Sequence, residues 1–178
     1  METAIKTRTE QVLKVMNVLA WIAFIALMIE TGAVLVSYGI SYLNPDAAKH
    51  LYKGWSLYPL QQFSAFHYTV SVFFNVALSA SRAFLCYLVI KILSRVKLTS
   101  PFTLQITVLI EQISYILVII GLLAGLNDLH ARYVLNLTGL IEMKVDAGGH
   151  IFIAGLVFII AQIFKRGIEL QAENDLTV

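Results

Sequence analysis

Cysteine is nearly absent. Cys86 is the only one in 178 residues, so no intrachain disulfide can form and a disulfide-stapled scaffold is excluded. Proline is also scarce, with three in the chain. Pro45, Pro59 and Pro101 all fall between the apolar stretches, so no apolar segment is broken by a missing backbone donor. Charge is the third shortage: Asp, Glu, Lys and Arg make up 13% of the chain, against about 25% in soluble domains. The net charge of +2 is too small to carry a nucleic-acid binder, and no direct nucleic-acid contact is expected. The chain also lacks H-E-x-x-H, a nucleophile elbow, a phosphate loop and a dinucleotide fingerprint. It reads as a non-enzyme that needs no cofactor and no metal.

What fills the chain is hydrophobic. Such residues make up 58%, and the mean hydropathy is +0.78, which is the composition of a membrane protein. A bilayer-spanning helix needs about 20 apolar residues. Four stretches come close: Val12–Tyr38, Phe66–Leu93, Phe102–Leu126 and Ala147–Phe164, the last running on to residue 166 at the interface. The predicted fold is therefore an all-α membrane protein, a single domain of four transmembrane helices over 1–178, with a tail at 167–178. The first apolar run follows a polar N-terminus without a small-residue cleavage site after it, so it reads as a retained span.

Basic residues set the orientation. Lys6, Arg8, Lys14, Lys91, Arg95, Lys97, Lys165 and Arg166 fall on one side, and Lys49, Lys53, Arg132 and Lys144 on the other. Eight against four predicts that both termini are cytoplasmic. The first outer loop, rich in Trp, Tyr and Phe, suits a short helix lying at the interface. The second, "RYVLNLTGLIEMKVDAGG", alternates polar residues at Asn136, Thr138, Glu142, Lys144 and Asp146 around Gly139. That alternation predicts a small extracytoplasmic β-hairpin between spans three and four. Thr99 or Ser100 ahead of Pro101 reads as the start of the third helix.

Ionisable residues inside a bilayer are costly and tend to be partnered. Glu30, Arg82 and Glu111 are the candidates. At 1.5 Å per residue, Arg82 lies about 14 Å above Lys91 and Glu111 about 15 Å above Pro101. An Arg82–Glu111 pair is the natural expectation, with Glu30 at a higher level. Such a pair can simply fix helix register. Its functional reading is a polar switch, or a site in a small oligomeric transporter or channel subunit. His50, His67, His130 and His150 all map to the outer side, with Asp128 and Asp146 near two of them. These are zinc-ligand types, but none shows helical metal-site spacing, and the plainer reading is interfacial histidines satisfied by water.

The chain ends in "FKRGIELQAENDLTV". Lys165 and Arg166 suit an anionic inner interface, and Gly167 is placed to loosen or end the span. Glu169, Glu173 and Asp175 follow with no base among them, interleaved with Ile168, Leu170, Leu176 and Val178. Acids beside aliphatics can dock on a basic, partly apolar surface, or else form a solvated helix end that frays. The segment "GLVFIIAQIFKRGIELQAENDLTV", with "SPFT" before the third span and the four-span plan, resembles a bacterial family of small membrane proteins, domain of unknown function family 2975. The resemblance implies a multi-pass protein of the bacterial cytoplasmic (inner) membrane. It also implies a regulatory partner, a small Cro/C1-type helix-turn-helix regulator encoded beside it. The partner-binding residues would be Glu169, Leu170, Glu173, Asn174, Asp175 and Leu176. No catalytic residues come with it.

Overall fold

The computed structural model describes residues 8–44, 58–96, 103–139 and 147–175. These form five helices: α1 (Arg8–Leu43), α2 (Tyr58–Phe63), α3 (Ala65–Arg95), α4 (Leu104–Thr138) and α5 (Ala147–Asp175). All but α2 are long and apolar enough to cross a membrane, so the chain is a multi-pass membrane protein of four spans. Each long helix outruns the bilayer core: 31 residues in α3 reach about 46 Å at 1.5 Å each, against a core of about 30 Å.

The helices alternate in direction. Tyr42 near the end of α1 meets Thr69 near the start of α3, whereas Phe24 meets Tyr87. Likewise His67 meets His130, and Leu88 packs with Leu109 and Ile113. Arg8 and Asp175 therefore lie at one end of the molecule, with Lys91 and Arg95. This basic end lies opposite a histidine end formed where α1 and α4 finish and α3 and α5 begin. The main packing follows chain order, α1 on α3, α3 on α4 and α4 on α5, with α2 against α3.

Three apolar clusters fill these contacts from end to end. Val34, Leu60, Tyr68, Val72 and Val134 lie nearest the histidine end. Leu78, Ile120 and Ala124 follow, then Leu88, Leu109 and Ile113 with Val157 of α5. Helix association in lipid depends on close packing, because acyl chains are as apolar as Leu. Small residues provide it here: Gly121, Ala124 and Ala131 are buried on α4, and Ala154 and Ala161 on α5. By contrast, α1 buries only Thr31, Val34 and Ser41. Its Val15, Leu19, Ile22 and Ile29 are exposed, a surface that acyl chains can cover.

Three local expectations are corrected. The predicted hairpin begins inside a helix: α4 runs to Thr138, so Asn136 and Thr138 are helical, and there is no strand among the described residues. The helix continues because Ala131 and Val134 carry its buried stripe past Leu126. It stops at Gly139, whose φ of 67° is the left-handed conformation that glycine adopts without steric cost. Glu142, Lys144 and Asp146 lie outside the described residues. The start of α4 is capped by Thr103, whose side chain accepts from the Ile106 amide, rather than by Thr99 or Ser100, which also lie outside the described residues. Gly167 does not end the last span, because α5 stays helical to Asp175.

The loop between α1 and α3 contains a short helix, α2. It is seated on the bundle, with Leu60 only 1% exposed against the Tyr68 cluster.

Candidate functional site

The tail is the first place where the sequence put function. Because α5 passes Gly167 without a break, Arg166, Glu169 and Glu173 fall on one helical face at i, i+3 and i+7. Arg166 Nη1 donates to Glu169 Oε2 at 2.8 Å and lies 3.8 Å from Glu173 Oε1. The acids that read as unopposed are thus partly neutralised from one turn back. Leu170 is 46% exposed beside them. Asn174 and Asp175 complete the helix, and Leu176 lies outside the described residues. The face combines carboxylates, an exposed aliphatic and one guanidinium.

The expected pairing of Arg82 with Glu111 does not form. Arg82 is exposed on α3, and it forms no ion pair with Glu111 among the described residues. Instead Glu111 Oε1 accepts from Tyr115 Oη at 2.9 Å, one turn along α4. Matching depth on neighbouring helices did not mean facing sides. Glu30 is exposed on α1.

The histidine end holds a polar network that sequence reading missed. Tyr68 Oη donates to Ser41 Oγ at 2.8 Å, and Ser41 Oγ donates to the Tyr38 carbonyl at 2.7 Å. Gln61 Nε2 of α2 donates to the Ser41 carbonyl at 3.0 Å. Tyr38 and Tyr42 hydroxyls both share Thr69 Oγ1, at 3.2 and 3.1 Å. The Tyr38 and Tyr68 rings stack at 5.7 Å between centroids. The available signal was the run Tyr38, Ser41, Tyr42, whose i, i+3, i+4 spacing puts a hydroxyl stripe at the end of a span.

Ser41→Ala should remove the acceptor of the Tyr68 hydroxyl, on a side chain only 5% exposed. The expected loss is about 1–3 kcal/mol. In the Tyr68→Phe background the same change should cost less, because no orphaned donor remains. Reversible unfolding in detergent checks both.

Beside this network, His67 of α3 and His130 of α4 put Nδ1 and Nε2 3.3 Å apart. Tyr133 lies against the His67 ring at 5.8 Å and Phe74 against His130 at 6.1 Å. The neighbouring Asp128 is held by Arg132 at 2.8 Å. The first residues of α3 and the last turns of α4 are neighbours in an antiparallel pair, which was the sequence-level cue for this meeting. His150 lies in the first turn of α5, and His50 and Asp146 lie outside the described residues.

Comparison with known proteins adds one finding. A family model described as "Protein of unknown function (DUF2975)" matches residues 45–178, which leaves α1 outside the match. No curated protein matches the chain, and no solved structure does. With α2 to α5 all inside a match that covers well over half of its residues, the chain belongs to the DUF2975 family.

Proposed function

We propose that the protein is a membrane-resident regulator that holds a small basic helix-turn-helix transcription regulator at the cytoplasmic face. Its role is binding and sequestration, not catalysis. The observation that supports this reading is the continuation of α5 beyond the apolar span, which presents Glu169, Leu170 and Glu173 on a regular helix. A helix offers these groups at fixed spacing, so less ordering entropy is lost on docking than from a frayed tail. Basic residues on DNA-binding modules are complementary to such a face, and Arg166 is the internal competitor they displace. The basic residues around the same end favour a cytoplasmic orientation, in a bacterial inner membrane.

The alternative reading is a small, oligomeric transporter or channel subunit that uses Glu30, Arg82 and Glu111. With Arg82 and Glu111 apart, it has less support. The experiment is fractionation: a tagged regulator encoded beside this gene should move from the soluble to the membrane fraction when the full chain is co-expressed. A regulator that stays soluble at matched expression overturns the proposal.

A further inference from the structure

The His67–His130 pair has a geometry beyond that of a hydrogen bond. Two zinc–nitrogen bonds of about 2.0–2.1 Å at a tetrahedral angle place the nitrogens about 3.3–3.4 Å apart, whereas a linear two-coordinate ion would need about 4 Å. The observed separation is 3.3 Å. The two nitrogens come from different helices, at positions 63 apart in sequence, and belong to rings already held by neighbours. Phe66 and Tyr133 lie against His67 at 5.5 and 5.8 Å, and Phe74 lies against His130 at 6.1 Å. Ser64 caps α3 by accepting from the His67 amide, which anchors the first turn that carries the ligand. Imidazole nitrogen is a donor suited to zinc and its neighbours.

We propose that His67 and His130 form a binding site for a divalent transition ion of the zinc class, bridging α3 and α4 at the histidine end. Binding replaces the hydrogen bond between the rings: the donor ring gives up the shared proton and takes one at its other nitrogen through solvent, so both rings bind as neutral imidazoles and no net proton is released. No third His, Cys, Asp or Glu joins them among the described residues. The remaining positions are taken by water, so the site is open and exchangeable, unlike a closed structural zinc site. An ion there would clamp the outer ends of two helices whose inner ends carry the basic face.

The test uses the full chain in detergent, stripped with chelator and titrated with Co²⁺ alone at neutral pH. The expected result is one equivalent per chain, with the intense visible absorption of a four-coordinate cobalt ion, displaced by one equivalent of Zn²⁺. His67→Phe and His130→Phe should each weaken binding roughly tenfold or more. His67→Gln keeps a hydrogen-bonding amide facing His130 but supplies a poor zinc ligand. It should lose the metal while keeping the thermal midpoint of the metal-free protein, which separates a ligand from a packing residue. Absence of stoichiometric binding, a weak octahedral cobalt spectrum, or binding unchanged in any of these variants overturns the proposal and marks any retained ion as adventitious.

Discussion

Replacing Ala161 by phenylalanine should prise α5 from α4 and cost about 3 kcal/mol or more, at the upper end of the usual cost of overpacking. Ala161 is 0% exposed, and the main neighbour of α5 is α4, whose Leu109 and Ile113 pack with Val157, one turn before Ala161. Without a hydrophobic drive between helices in lipid, van der Waals contact at this seam is what holds α5 in place. An added ring leaves no low-energy rotamer in such a contact. Ile160→Phe, one residue earlier at a position 46% exposed, should stay within about 0.5 kcal/mol of the parent. Unfolding midpoints in detergent for the two variants make the comparison. Equal loss at both positions would mean that α5 does not pack on α4 through this face.

The second large effect concerns charge at the end of α5, and its sign depends on which partner of the ion pair is changed. Glu169→Lys with Glu173→Lys should abolish binding of a basic regulator, since like charges then face each other across the contact. Arg166→Gln should act the other way. It frees Glu169 from its 2.8 Å partner and Glu173 from its more distant one, leaving both for the incoming cation. Tightening of roughly threefold is expected from loss of an exposed competing pair, shrinking as salt screens it. A simple anchoring role for Arg166 at the lipid surface predicts the reverse, weaker binding in Arg166→Gln. Affinities at two salt concentrations distinguish the two.

The four spans were legible because length and hydropathy suffice for them: a run of about 20 apolar residues without proline has few alternatives. The ends were harder. Asn127, Asp128 and Arg132 lower the hydropathy after Leu126, so the sequence suggested that α4 had stopped. It continues because Asn127, Ala131 and Val134 still face the bundle, while Arg132 reaches back to Asp128 on the exposed side. The polar alternation that suggested a hairpin belongs in part to this helix, and spacing alone does not separate the two over a few residues.

The candidate site was legible only in part. Glu169, Leu170, Glu173, Asn174, Asp175 and Leu176 were identified as the partner-binding residues, but not the link of Glu169 and Glu173 to Arg166, because that link needs α5 to stay helical through Gly167. Glycine lowers helix propensity by roughly 1 kcal/mol, and here the long flanking helix carries it. Arg82 and Glu111 were matched by depth, a quantity that counting gives. Their azimuth around the helices decides contact, and it depends on packing that no single segment encodes. The same limit hid the Tyr68–Ser41 contact and the meeting of the two histidines, each spanning separate helices.

The central claim is that the end of α5 is the surface that takes the regulator. Its most direct test is a titration of labelled regulator against the full chain reconstituted in lipid nanodiscs, beside a chain lacking residues 168–178. Saturable, salt-sensitive binding to the intact protein and none to the shortened one is the predicted result. Equal affinity for both, or no binding to the intact chain, would contradict it.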